Sequence, residues 1–150
     1  MTEHRFRRAG LDDAGLVEAI THRAYAKWVP VIGRPPKPMT ADYTQAIAGH
    51  VIDLLVEGDV VVGLVELIPM ADHWLIENVA VDPAHQGKGY GRLLVAHAED
   101  VTRAAGMQRI RLYTNKLFAA NVTLYRKLGY ALDREEEFRG GIIVHMSKGL

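Results

Sequence analysis

Residues 78–92, NVAVDPAHQGKGYGR, constrain what this chain can fold into more than any other stretch. Val79, Ala80 and Val81 end a β-rich run, Asp82-Pro83 stops it, and Gly87, Gly89 and Gly91 follow at alternate positions. Apolar residues at Tyr90, Leu94, Ala98, Val101 and Ala105 then recur at helical spacing, with Gly106 placed to end the helix. The reading is strand, glycine turn, helix. The first helical amides, around Gly89 to Arg92, lack intrahelical acceptors, and the helix dipole adds partial positive charge there. Glycines let a ligand approach the backbone closely, so Gln86, Gly87, Lys88, Gly89, Tyr90, Gly91 and Arg92 form a candidate cradle for a pyrophosphate. The bland alternative is a glycine turn that only makes a tight connection.

Two familiar phosphate motifs fail on the residues. A dinucleotide fingerprint needs a third glycine where Arg92 stands, and a P-loop needs Ser or Thr where Gly89 follows Lys88. What remains is Gln86-x-x-Gly89-x-Gly91 after a Val-x-Val strand.

The flanking sequence predicts an α/β domain. His4 to Ala9 alternates as a short strand, and Leu16, Val17, Ile20, Ala24 and Trp28 carry a helix that starts near Leu11. Four prolines between Pro30 and Pro38 predict a stiff loop without a regular helix, and Thr40 is the expected cap of a short helix ending near Ala48. Val51 to Glu57, Val60 to Ile68 and His73 to Val81 read as strands whose short connections make them antiparallel neighbours. The helical crossover makes a strand at Gln108 to Thr114 parallel to His73–Val81. Ala119 to Leu128 is a helix ended by Gly129. Tyr130 to Phe138 and Ile142 to Lys148 form a terminal hairpin about Gly140-Gly141. A chain of 150 residues fits one domain over 1–150.

This order resembles the GNAT superfamily of N-acetyltransferases: a mixed, largely antiparallel central sheet flanked by helices, with a coenzyme A-binding splay between two parallel strands. Gln86-x-x-Gly89-x-Gly91 is similar to the family's coenzyme A motif, and Leu124-Tyr125-Arg126-Lys127-Leu128-Gly129-Tyr130 to its Leu-Tyr-x-x-x-Gly-Phe/Tyr signature. The resemblance implies transfer of an acetyl group from acetyl-CoA to an amine by direct attack in a ternary complex. Val79, Ala80 and Val81 would pair with the pantetheine arm, and a backbone amide near Val79 would polarise the carbonyl. Many relatives carry Asn where this chain has Phe118, so Asn115 and Asn121 are the nearest substitutes. The family's acceptors include antibiotics, polyamines, amino acids and protein N-termini. The rival readings are a transferase of another acyl group, a non-catalytic acyl-CoA-binding domain and a plain nucleotide-binding module.

Two residues are singled out for chemistry. Tyr125 lies one helical turn beyond Asn121, and a phenol protonated at neutral pH suits a departing thiolate; the matching tyrosine of GNAT relatives takes this role. Glu77 is the candidate base, with Glu66 as rival. Strand alternation puts Glu77 on the face of Leu75, Val79 and Val81, with Trp74, Ile76 and Asn78 opposite. A primary amine with pKa about 10.4 is mostly protonated at pH 7, so a base is useful. Tyr25, Trp28, Arg34 and Lys37 lie in or beside the proline loop, a region that lines the acceptor pocket in this family's layout.

Composition excludes other chemistry. There are no cysteines, so disulfides and Cys-acyl intermediates are ruled out. The seven histidines lack metal-site spacing, so no metal is expected. Lys+Arg and Asp+Glu are 18 each, which gives no reason to expect nucleic acid or an anionic membrane as partner. The expectation is a cytoplasmic enzyme with a small-molecule or peptide amine substrate and a homodimer left open.

Overall fold

A computed structural model describes residues 3–150. Seven strands form one sheet in the order β1-β2-β3-β4-β5-β7-β6. They are β1 (His4–Arg8), β2 (Val51–Glu57), β3 (Val60–Pro69), β4 (Trp74–Val81), β5 (Arg109–Asn115), β6 (Ala131–Phe138) and β7 (Gly141–Gly149). All neighbours are antiparallel except β4 and β5, whose connection runs through a helix. The helices are α1 (Ala14–Tyr25), α2 (Val29–Ile32), α3 (Tyr43–Gly49), α4 (Tyr90–Ala104) and α5 (Ala119–Lys127).

Each face of the sheet buries its own core. On one face Leu94, Val95 and Ala98 of α4 pack on Val62, Val65, Leu67, Ile76, Ile110 and Leu112, with Tyr125 and Leu128 from the α5 side. On the other, Val17, Ile20 and Ala24 of α1 and Tyr43 and Ala46 of α3 cover Ile52, Leu54, Leu64 and Ala80. The buried positions of α4 fall at the i, i+4, i+8 spacing its sequence shows, so one apolar stripe fixes its docking. No described helix is long and apolar enough to cross a membrane.

Three local expectations are corrected. The proline segment is not helix-free: α2 and a 3-10 turn at Lys37–Thr40 form there, because Pro30 and Pro38 occupy first-turn positions that need no amide hydrogen. The cap of α3 is Asp42 rather than Thr40, and its carboxylate accepts from the Thr44 and Gln45 amides at 3.0 and 3.2 Å. The terminal hairpin turns one residue earlier, about Arg139 and Gly140. Both have positive φ, 51° and 78°, as a tight two-residue hairpin loop requires.

Candidate active site

Parallel pairing between β4 and β5 covers only Trp74–Ile76 opposite Ile110–Leu112. Beyond it the strands part, and β4 runs on to Val81 while β5 runs on to Asn115. Asp82 N donates to Val62 O, so antiparallel alternation turns the Ala80 and Asn78 amides toward β3. The amides of Val79 and Val81 therefore face the gap. Their carbonyls are already engaged: Tyr25 Oη donates to Val79 O at 3.3 Å and Gln86 Nε2 to Val81 O at 3.2 Å.

A cavity of about 190 Å³ continues from this gap to the start of α4. Val79, Val81, Gln86, Gly87, Gly89, Tyr90, Gly91, Asn121 and Tyr125 all line it, so the structure brings these sequence candidates together. Gly87 and Gly89 have φ of 82° and 81°, a left-handed conformation that disfavours other residues, and a Cβ on either would project into open space. Gly89 caps α4 without a side-chain hydrogen bond, which leaves the first-turn amides free for an anion. Asn115 is elsewhere: its Oδ1 accepts from Leu117 N at 2.9 Å in the turn after β5. Ala80 turns its side chain into the opposite core, and Lys88 and Arg92 do not line the cavity. Phe118 is buried and stacks at 4.3 Å on Trp28, which lines the cavity, so it backs an apolar wall and offers no polar contact.

Tyr125 is half-buried, with its ring edge-on to Tyr130 at 5.9 Å. Burial raises its hydroxyl to about 12, so it stays protonated across the neutral range.

Glu77 does not share a face with Val79 and Val81. The β3–β4 register shifts between Glu66 and Leu67, which pair with Asn78 and Ile76, so Glu77 is the extra residue of a β-bulge. The bulge resets the alternation. Ile76, Val79 and Val81 all face α4, while Ala80 faces α1 and Asn78 donates to Thr21 Oγ1 and Tyr43 Oη at 3.1 and 3.2 Å. The Glu77 carboxylate lies with this second group: Tyr113 Oη donates to it at 2.7 Å and Lys37 Nζ lies 3.0 Å away. Glu77 and Tyr113 are the first residues past the last β4–β5 pair, so their hydrogen bond closes the vertex of the splay. Burial and then the Glu77 charge push the Tyr113 hydroxyl upward, which keeps it a donor.

A second cavity, about 350 Å³, opens at this vertex and is lined by Lys37, Pro38, Tyr43, His50, Glu66 and Glu77 among others. His50 Nδ1 donates to Glu66 Oε2 at 2.7 Å. Burial raises the Glu66 carboxyl, and the His50 contact only partly offsets it. Of the aromatic and basic residues near the proline segment, Lys37 lines this second cavity, whereas Tyr25 and Trp28 line the first. Arg34 instead donates to Arg139 O at 3.1 Å. Tyr113 and His50 are not among the sequence candidates, whereas Glu66, the rival base, is found paired with His50. The β5 alternation puts Tyr113 opposite Ile110 and Leu112, but only the bulge brings Glu77 to it. Among the described residues no cluster of His, Cys, Asp or Glu suits a metal ion.

A splayed parallel pair that leads to a glycine-lined helix start leaves an extended gap that ends in free helix amides. The acetyltransferase (GNAT) family model matches residues 17–130, and the chain belongs to that family. Streptothricin acetyltransferase of Streptomyces lavendulae is 39% identical over 56 residues, which is 37% of this chain and 30% of that protein. This chain thus matches well under two thirds of that relative's length. Among solved structures, the ribosomal-protein-S18-alanine N-acetyltransferase of Escherichia coli superposes with a TM-score of 0.81 at 19% identity, covering 98% of this chain and 94% of that one. The PaiA N-acetyltransferase of Thermoplasma acidophilum, solved with coenzyme A, gives 0.78 at 16% identity and 99% coverage of both chains.

Proposed function

We propose that this chain is an acetyl-CoA-dependent N-acetyltransferase, one domain over 1–150, acting in the cytoplasm on a small-molecule or peptide amine. The observation that carries the reading is that β4 contributes to two cavities two residues apart, Val79 to the first and Glu77 to the second. One is shaped for an extended anionic ligand and the other carries carboxylates suited to an amine. Relatives of this chain are named as a streptothricin acetyltransferase and a ribosomal-protein bS18-alanine N-acetyltransferase, which supports both kinds of acceptor. Bound acetyl-CoA would supply an activated thioester carbonyl.

The first-turn amides of α4, with Gly87 and Gly89, would hold the pyrophosphate, and the Val79 and Val81 amides would pair with the pantetheine arm as an added strand does. Val79 is the nearer of the two to the vertex, and its amide stabilises negative charge on the carbonyl oxygen. Glu77 takes a proton from the acceptor's ammonium, directly or through water. Tyr125 donates to the leaving sulfur, with Asn121 one turn away on the same helix face.

Calorimetric titration with coenzyme A, NAD and ATP tests the site, and thiol release over a panel of primary amines tests the reaction. Coenzyme A is expected to bind in preference to the other two. Equal or tighter binding of NAD or ATP overturns the assignment of the glycine turn.

A further inference from the structure

Every carboxylate in the second cavity wall beside the sheet already has a partner from this chain. Glu66 is held by His50, and Glu77 by Tyr113 and Lys37. Lys37 differs from the other two partners because it is a primary amine, the functional group of an acceptor. Its side chain is 68% exposed along its length, yet its Nζ ends 3.0 Å from Glu77 Oε1 and 5.6 Å from the centre of the Tyr113 ring. A carboxylate and an aromatic face together make a cation site. That site sits at the vertex where the strands part, the end of the splay farthest from the pyrophosphate cradle. The backbone that carries Lys37 is fixed: Pro36 and Pro38 flank it, and Tyr43 Oη donates to Pro38 O at 2.6 Å.

We propose that Lys37 is itself an acceptor, acetylated on Nε by its own chain when acetyl-CoA is bound. The inference rests on the functional reading above. An ammonium group carries three protons. Glu77 takes one and passes it to solvent, and the neutral nitrogen then attacks the acetyl carbonyl carbon. The N–C bond forms, the C–S bond breaks, and Tyr125 gives its proton to the departing thiolate. In the same event Tyr125 takes a proton from the nitrogen, which keeps one hydrogen as the amide. The products are Nε-acetyl-Lys37, coenzyme A thiol and a proton released to solvent. Acetylation removes the Lys37 charge and leaves Glu77 with only Tyr113 as partner, so the vertex becomes free for an external amine.

The control is built into the chain. Lys27 lines the cofactor cavity, but its Nζ lies over Trp28 at 5.2 Å and has no carboxylate partner among the described residues. If proximity to the thioester alone mattered, Lys27 would be modified; if the Glu77 vertex matters, Lys37 is.

The test is incubation of the full chain with acetyl-CoA and no added acceptor, followed by intact mass and peptide mapping. The expected result is one acetyl group per chain, on Lys37, at a rate independent of protein concentration because donor and acceptor share one molecule. Lys37→Arg should abolish it, and Glu77→Gln should slow it by about 10²-fold or more. A second readout needs no acetyl-CoA. In the free protein, Glu77→Gln releases the Lys37 amine to solvent, so its labelling by an amine-directed reagent should quicken severalfold while Lys27 labelling is unchanged. Acetyl-CoA binding without Lys37 acetylation overturns this inference and leaves the functional reading standing. So does modification of Lys27 in its place, or a rate that grows with protein concentration. Failure of acetyl-CoA to bind overturns both.

Discussion

Tyr125→Phe separates the chemistry of the site from its architecture. The ring keeps its packing against Tyr130 and only the hydroxyl is lost. The magnitude follows from the raised hydroxyl. A phenol near about 12 facing a thiol of about 8.5 is mismatched by roughly 3.5 units, or about 5 kcal/mol against complete proton transfer. Tyr125 cannot release its proton first and be restored later without meeting most of that cost. It must donate a hydrogen bond to the developing thiolate and move the proton as the acceptor nitrogen sheds its own. Such coupled help belongs at the lower end of general-acid effects, so turnover should fall roughly 10²–10³-fold, about 3–4 kcal/mol in the barrier. The assay is thiol release at saturating acetyl-CoA, with coenzyme A affinity by calorimetry and a melting curve beside it. Affinity should stay within about twofold, because the proton is needed only as the thiolate leaves. An acyl donor with a better leaving thiol should narrow the gap. Wild-type turnover in the variant refutes the role. A loss that follows weakened acetyl-CoA binding refutes it equally, since that would make the hydroxyl a binding contact.

The same geometry sets three further outcomes. Gly89→Asp places a carboxylate at a left-handed position beside the cradle, and repulsion of a phosphate at about 4–5 Å is worth about 3–4 kcal/mol at the protein surface, so coenzyme A affinity by calorimetry should drop over about 100-fold. If Glu77 is the base, Glu77→Gln should lose most turnover below the acceptor amine's pKa and recover as pH rises toward it; a pH-independent loss would move the role to Glu66 or solvent. Asp53 is buried, and although burial raises its carboxyl, hydrogen bonds from His97 at 2.8 Å and Arg8 at 2.5 Å outweigh that and leave it depressed. A depressed carboxyl stabilises above the unfolded value of about 3.9 and loses that contribution as pH falls through the folded one. Urea unfolding of Asp53→Asn should therefore show a loss of about 1.5–3 kcal/mol at pH 7 that shrinks in acid.

The glycine turn and helix start of the candidate site are legible in the sequence because they depend on local rules. Glycines at positive φ, a strand stop at Asp82-Pro83 and an apolar stripe starting at Tyr90 each act within a few residues, and each appears where the sequence puts it. The antiparallel order of β2, β3 and β4 was legible for the same reason, through short turns. The proline segment was misread because proline forbids helix interiors but suits first turns, and the residues on its C-terminal side decide between the two. Asp42 outcompeted Thr40 as a cap because the helix begins at Tyr43, and only an acceptor directly before that start can reach the free amides. Asn115 does not line the first cavity, because a short polar side chain after a strand finds a nearby turn amide first.

The placement of Glu77 is not legible in the sequence because a single extra residue decides it. With unbroken alternation, Glu77 would point with Val79 and Val81 into the packed face under α4, and a carboxylate there would lack partners. The bulge sends it to the other face, where Tyr113 donates to it and it lines the second cavity. The same extra residue sets the phase of the rest of β4, so that the Val79 and Val81 amides face the gap and their side chains face the core. The Glu77 carboxylate and the Val79 amide, proposed as base and carbonyl polariser, are thus placed by one irregularity, two residues apart in sequence and on either side of the vertex. Moving the bulge along β4 would misplace both together. The Asn78 contacts to Thr21 and Tyr43 pin it from the α1 side and keep the two halves in register.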